Sequence, residues 1–415
     1  MNDIFQQAKL CKAAAPTLAG LSAGQKNAAL LDIAAALEGR ADDILAANAL
    51  DIAAAKENGM TASLLDRLTL TPQRIAGMAE GVRQVAALPD PIGEVVEGRT
   101  LPNGLEVRQV RVPLGGIGII FEARPNVTVD AAVLCLKSGN ATLLRGGKEA
   151  IHSNLALGEI MAQALETQGL PAGCVQVVED PSRQSAQTMM ELTEYLDVLI
   201  PRGGKGLIRA VTQGAKVPVI RTGEGVCHVF VDESADLPMA VDILVNGKCS
   251  RPSVCNAVEC VLVHEAVAAE FWALALPALA KYNVELRGCA RTQALVPQAV
   301  PASDEDWDSE YGDFILAARV VDGLDEAVAF INAHGTQHSE AIVTRSLENA
   351  HAFQAQVDAA AVYVNASTRF TDGFQLGLGA EIGISTQKMH ARGPMGLRAL
   401  TSTKFLIQGD GQVRW

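Results

Sequence analysis

Apolar positions follow two rhythms along the chain. From residue 3 to about 88 they recur at helical spacing in text dominated by Ala and Leu. This predicts a run of helices broken at Gly20, at Gly39 with Arg40, and at Gly59. Leu64, Leu65, Leu68 and Leu70 continue the apolar theme, and Thr71 with Pro72 reads as the cap and first residue of a further helix. This lead-in shows no chemistry and reads as structural. Residues 89–93 carry two prolines and a glycine, a clear breaker. Asn103 and Gly104 then signal a hairpin, and residues 107–112 interleave Val with Arg and Gln as a partly exposed strand does. A two-stranded ribbon is marginal alone, so it is expected to pack on another sheet, with a second subunit's sheet among the options.

From residue 113 the rhythm becomes short apolar runs alternating with helical segments. Strands are predicted at 118–121, 141–144, 175–178, 197–201 and 217–221. Arg124, Pro125 and Asn126 open a helix to Lys137, Ser182 opens another, and Arg202 to Gly206 lead into a third. Residues 257–263 are rich in Val and read as a buried strand. Beyond them lie strands at 314–321, 339–344 and 360–365 and a helix at 325–332. Such alternation implies a mostly parallel, doubly wound α/β sheet. Residues 368–403 are Gly-rich and read as a long loop of the kind that lines a site.

A chain of 415 residues suggests two or three domains, and only 4% aromatic content makes the core aliphatic. The net charge of −13 argues against nucleic acid or an anionic membrane surface as the main partner. No apolar run is long enough for a membrane span, and the first residues lack a signal-peptide core. Eight cysteines without disulfide-like clustering point to free thiols in a reducing, cytoplasmic setting.

Three of those cysteines, Cys249, Cys255 and Cys260, fall within residues 246–264. Their spacing is not that of a zinc site. Cys260 belongs to the predicted strand core. Cys255 lies at the strand's mouth beside Asn256, near Lys248 and Arg251, whose charge favours a thiolate. A free cysteine is more often a small buried hydrophobe, so local sequence makes Cys255 only a candidate nucleophile. His334 and His338 lack a metalloprotease context. No G-x-G-x-x-G or Walker A motif fits the sheet. Two predicted strand ends, Arg145 to Lys148 and Arg202 to Lys205, nevertheless combine glycines with cations, which suits either an anionic cofactor or an ordinary solvated turn.

FEARPNVTVDAAVLCLKSGNATLLRGG (121–147), GKCSRPSVCNAVE (247–259) and HARGPMGLRALTS (390–402) together resemble the aldehyde dehydrogenase superfamily. The resemblance spans nearly the whole chain. It implies a doubly wound cofactor domain at 1–95 and 113–225, an α/β catalytic domain at 226–390, and a small β oligomerisation arm at 96–112 and 400–415. It places the catalytic cysteine on Cys255 and the oxyanion-stabilising asparagine on Asn126. A cofactor-contacting lysine is replaced by Arg145. Lys148 stands where NAD-using relatives carry a glutamate, which favours NADP(H). Gly203, Gly204 and Lys205 complete the cofactor turns, and Glu310 falls on the glutamate that holds the nicotinamide ribose. Arg251, Arg369 and Lys248 are substrate-contact candidates by position, each equally readable as a structural ion pair.

Within the superfamily the motifs are similar to those of a branch that reduces L-glutamyl 5-phosphate to L-glutamate 5-semialdehyde in proline biosynthesis. The partners this implies are that substrate, further copies of the chain as dimer or tetramer, and functional coupling to glutamate 5-kinase. Hydrolytic relatives carry a water-activating glutamate in a Glu-Leu-Gly-Gly context; here the text is Arg221 to Gly225, with Glu224 out of register. The competing readings are a hydrolytic or coenzyme A-acylating aldehyde dehydrogenase, supported by Glu224 alone, and a cofactor-binding scaffold without activity.

Overall fold

The computed structural model describes residues 3–414. Met1, Asn2 and Trp415, assigned above to the cofactor domain and the arm, lie outside the described residues. The chain divides into two compact units. One takes the residues up to Arg221, Gly377–Gly383 and the chain from Met395 onward; the other takes Thr222–Leu376 and Ile384–Pro394.

The first unit opens with helices Ile4–Ala19, Ala23–Gly39, Ala41–Glu57, Ala62–Leu68 and Pro72–Ala87. Their ends follow the local chemistry. Ser22 and Gln25 form a reciprocal capping box, the Thr71 side chain caps the helix that begins at Pro72, and Gly59 takes a left-handed φ of 68°. Behind them lies a four-stranded parallel sheet ordered Val175–Val177, Ala141–Arg145, Gly116–Phe121, Val198–Arg202. Its inner strand, Gly116–Phe121, is buried throughout, as expected of a strand covered on both faces. A Cβ at Gly118 would lie 2.4 Å from Leu199 Cδ2, so this strand needs glycine to admit its neighbour's side chain. The strand expected at 217–221 does not form. Only an isolated bridge joins Val219 to Leu199, because Pro218 has no N–H to extend a ladder.

The hairpin Val95–Thr100 to Glu106–Pro113 turns at Gly104, with φ 86°, and gains a third strand, Thr401–Gln408, antiparallel to Glu106–Pro113. The ribbon thus packs on the chain's own C-terminal strand. The 226–390 boundary also differs. Gly377–Gly383 groups with the first unit, where Gly379 lies so close to Leu88 that a Cβ would come within 2.3 Å of its side chain.

The second unit is built on a seven-stranded parallel sheet. Its order is Val300–Pro301, Glu285–Gly288, Ile315–Val321, Val258–His264, Cys227–Val231, Ser339–Val343, Ala361–Val364. Alternate residues of its middle strands feed two cores. Val261 and Val263 pack with Phe271 and Trp272, while Cys260 and Leu262 pack with Phe330 and Phe353. Because these strands are parallel, every loop that enters one emerges at the same edge. The loops 222–226, 250–257, 309–314 and 335–338 therefore line the amino edge together. In the first unit the turns after the strands gather at the opposite, carboxyl edge.

Candidate active site

Cys255 lies in the loop between helix Leu237–Cys249 and strand Val258–His264, half-buried. Its backbone is gripped from two directions. A Cβ on Gly225 would fall 1.4 Å from the Cys255 carbonyl oxygen, so the two backbones touch and only glycine fits. The Cys227 thiol donates to the same carbonyl at 3.2 Å. On the other side Asn256 is bound at every polar group of its side chain. Its amide donates to the carbonyls of Thr371 (3.0 Å) and Arg369 (3.3 Å), and its amide oxygen accepts from the Arg369 guanidinium. The Thr368 hydroxyl donates to the Asn256 carbonyl at 2.7 Å. These contacts hold the loop in one conformation and bring Arg369 to it. Arg369 also donates to Ser250 Oγ at 3.1 Å. Burial and the neighbouring Arg251 lower the Arg369 pKa, while Asp372, and after it Cys255 and Cys227, pull the other way. Arg251 itself is exposed.

Lys248 takes the second of the two roles open to it. It belongs to the last turn of helix Leu237–Cys249, fully buried, with Nζ 2.5 Å from Glu259 Oε2. Burial pulls the lysine down and pushes Glu259 up to about 7, each opposed by the other's charge. This geometry supports the structural ion pair over a substrate contact, and Glu259 neutralises the charge expected to favour a thiolate. Glu310 is exposed in the loop before Ile315–Val321, on the edge that also carries Cys255. Glu224 is half-buried next to Gly225, on the same edge. Among the described residues, no group of three His, Cys, Asp or Glu could hold a metal ion.

Asn126 and the cofactor candidates other than Glu310 belong to the first unit. Asn126 is the second residue of helix Pro125–Lys137, half-buried, and its amide donates to Asp130 Oδ2 at 2.9 Å. Arg145 ends its strand and donates to the carbonyls of Pro181 (2.5 Å) and Ser182 (2.8 Å), so much of its donor capacity braces the neighbouring turn. Lys148 is exposed at the start of a single 3₁₀ turn. The glycines of both turns pack around Glu122 and Ala123. A Cβ on Gly203 would meet the Glu122 carboxyl at 2.6 Å, one on Gly147 would meet the Ala123 nitrogen at 3.4 Å, and Gly204 N–H donates to Glu122 Oε2 at 2.9 Å. Side-chain-free turns with an exposed cation at a carboxyl edge fit a phosphate-bearing dinucleotide. Sequence reasoning missed Glu122, Gly225, Cys227 and Glu259 and read Asn256 only as a turn residue. Glu122 and Glu259 lie inside the 121–147 and 247–259 motifs, but no local pattern shows what any of the four residues contacts.

Substituting Gly225→Ala is expected to displace the Cys255 backbone and lower kcat by roughly 100-fold, the scale for a misplacement near 1 Å. Wild-type kcat in a stopped-flow assay would show that this contact does not fix the nucleophile. A second prediction concerns His338, fully buried with Nδ1 2.8 Å from Ser339 Oγ and 3.7 Å from Cys227 Sγ. Burial lowers its pKa from 6.5 to about 4. The unfolded chain therefore takes up a proton that the folded chain refuses between those values. The His338 contribution to stability is intact above pH 6.5 and falls by about 3 kcal/mol as pH drops to 4. His228 holds its proton across this window: burial opposes it, but Glu340 and Cys260 raise it to about 10. Urea unfolding of wild type and His338→Gln should thus diverge in pH slope only between pH 4 and 6.5; parallel slopes would refute the assignment.

The aldehyde dehydrogenase family model matches residues 2–296. A gamma-glutamyl phosphate reductase from Carboxydothermus hydrogenoformans is 57% identical over 414 residues, covering 100% of both chains. One from Halothermothrix orenii is 56% identical, over 99% of this chain and 98% of that one. The crystal structure of gamma-glutamyl phosphate reductase from Thermotoga maritima superposes with a TM-score of 0.98 at 48% identity, covering 100% of both chains. An acetylating aldehyde dehydrogenase from Geobacillus thermoglucosidasius shares the fold at 16% identity, with a TM-score of 0.71 over 99% of this chain and 97% of that one. The chain belongs to the aldehyde dehydrogenase family, which uses nicotinamide cofactors, and within it to the gamma-glutamyl phosphate reductases.

Proposed function

We propose that this protein reduces L-glutamyl 5-phosphate to L-glutamate 5-semialdehyde and phosphate, with NADPH as reductant, in the second step of proline biosynthesis from glutamate. The observation that carries the reading is full-length similarity to reductases of that name, in a chain whose Cys255 is half-buried and held by its backbone. The Cys255 thiolate attacks the acyl carbonyl, and the oxyanion accepts a hydrogen bond from Asn126, a donor worth about 3 kcal/mol of barrier. Phosphate departs and the acyl group remains on sulfur as a thioester. The bound cofactor supplies hydride for reduction of the thioester to the aldehyde. Arg251 and Arg369 attract the substrate's anionic groups, and Glu310 holds the cofactor's nicotinamide ribose. Lys148, with Arg145 and the glycine turns, receives the adenosine end and its 2′-phosphate.

The acyl-phosphate substrate requires a kinase to supply it, which supports coupling to glutamate 5-kinase in the cytoplasm. The three-stranded sheet exposes Val95, Val96, Phe405 and Ile407 on its outer strands, supporting its role as an oligomerisation arm of a dimer or tetramer.

Incubation with L-glutamate 5-semialdehyde and NADP should form NADPH only when inorganic phosphate is present, and Cys255→Ala should abolish it while still binding NADPH. Phosphate-independent turnover would instead make water the acceptor and Glu224 its base. Lys148→Ala should raise KM for NADPH by roughly tenfold and leave KM for NADH unchanged, as loss of one charge-assisted phosphate contact requires. Equal effects on both cofactors would remove the 2′-phosphate from the reading.

A further inference from the structure

Lys248 and Glu259 bracket the nucleophile in sequence, one on the helix before its loop and the other on the strand after it. Both side chains are buried, 0% and 1% exposed, and face each other at 2.5 Å. A buried ion pair is a poor source of stability, because desolvation of the two charges offsets their attraction; well-packed apolar residues often serve as well. Its presence here calls for another use. The second carboxylate oxygen supplies one: Glu259 Oε1 accepts the Gly312 N–H at 3.3 Å. Gly312 adopts a left-handed φ of 62° two residues after Glu310. Between them, the Tyr311 ring stands 5.8 Å from Lys248 Nζ and 5.3 Å from the Arg287 guanidinium. The Tyr311 hydroxyl donates to Asp306 Oδ1 at 2.9 Å, and Asp306 pairs with Arg287 at 2.7 Å. The buried pair and the Arg287–Asp306 pair thus clamp the Glu310 loop at both residues that follow Glu310.

We propose that Glu259 is a positioning residue for the cofactor: through the Gly312 amide it fixes the loop that presents Glu310, and ties it to the loop that carries Cys255, while Lys248 balances its charge. The inference rests on the reading that Glu310 holds the nicotinamide ribose. Lys248 neutralises the buried Glu259 charge, and the carboxylate oxygen that meets Gly312 carries the positioning. An oxygen acceptor at 259 is therefore needed even when the charge is not.

Three variants of the full-length protein test this: Lys248→Met with Glu259→Leu, Lys248→Met with Glu259→Gln, and Glu310→Ala. Thermal melting and steady-state kinetics are measured for each, with semialdehyde, phosphate and NADP. The leucine variant is expected to melt close to wild type but to raise KM for NADP by about tenfold, the scale of one lost hydrogen bond, with KM for the semialdehyde unchanged. The glutamine variant keeps the acceptor and should restore the wild-type KM for NADP. Wild-type KM in a folded leucine variant, or a tenfold rise in the glutamine variant, would overturn the proposal. If the leucine variant fails to fold, the glutamine variant decides alone, supporting the brace by a wild-type KM for NADP. Glu310→Ala separates the two layers. If it leaves KM for NADP unchanged, the ribose reading falls; if it raises KM while the leucine variant does not, only the brace falls.

Discussion

The contact on which the site depends is between two backbones. Gly225 approaches the Cys255 carbonyl so closely that no other residue fits, and the Cys227 thiol binds the same oxygen. Residues 225 and 227 precede or begin strand Cys227–Val231, which lies beside Val258–His264 in the sheet. The Cys255 loop is therefore anchored to the sheet itself, through the Gly225 main chain and the buried Cys227 side chain. The side-chain bonds of Asn256 then fix the loop's other flank to residues 368–371. In the proposed role of nucleophile, a cysteine held in this way spends little conformational entropy on reaching a reactive geometry.

The two units place their chemistry at opposite edges of their sheets. In the first, the glycine turns follow the strands and lie at the carboxyl edge, where open α/β sheets commonly bind ligands. In the second, Glu224, Cys255 and Glu310 all precede strands and lie at the amino edge. Parallel strands make this grouping automatic: any residue just before a strand shares an edge with every other such residue. Four loops far apart in sequence can thus contribute to one surface, held together by the sheet's register. The buried polar groups beneath it, Lys248 with Glu259 and His228 with Glu340, pin neighbouring elements at points where the aliphatic core lacks directionality.

Much of this was legible in the sequence. The helices before residue 88, the hairpin at Gly104 and the strands around Gly118 and Leu143 follow from periodicity and punctuation, because those signals are local. The expected strand at 217–221 failed because neither Pro218 nor Pro201 of the neighbouring strand has an N–H to extend the ladder beyond one bridge. Cys255 was legible because its loop and strand are contiguous. Lys248 stayed open between two readings because its partner, Glu259, lies beyond the cysteine loop and only the fold turns it inward. Gly225 was invisible for a related reason: what a glycine accommodates is set by another part of the chain.

The environment also explains why one thiol of eight suits the chemistry. Six are buried, and burial pushes Cys135 and Cys174 up to about 12. At neutral pH such a group is ionised roughly once in a hundred thousand, too seldom to serve as a nucleophile. Cys227 is raised as well, by burial and by Glu340, which keeps its proton available for the Cys255 carbonyl. Cys255 and Cys289 are the half-buried pair. Burial raises Cys289, but hydrogen bonds from Thr292 and backbone amides outweigh it and leave it lowered. Cys289 follows strand Glu285–Gly288, so it lies at the carboxyl edge, away from the loops that carry Glu224 and Glu310. Reactivity alone would leave two candidates. Position on the sheet supports Cys255 for the proposed role, and Arg369, held by Asn256, brings a guanidinium to the loop beside it.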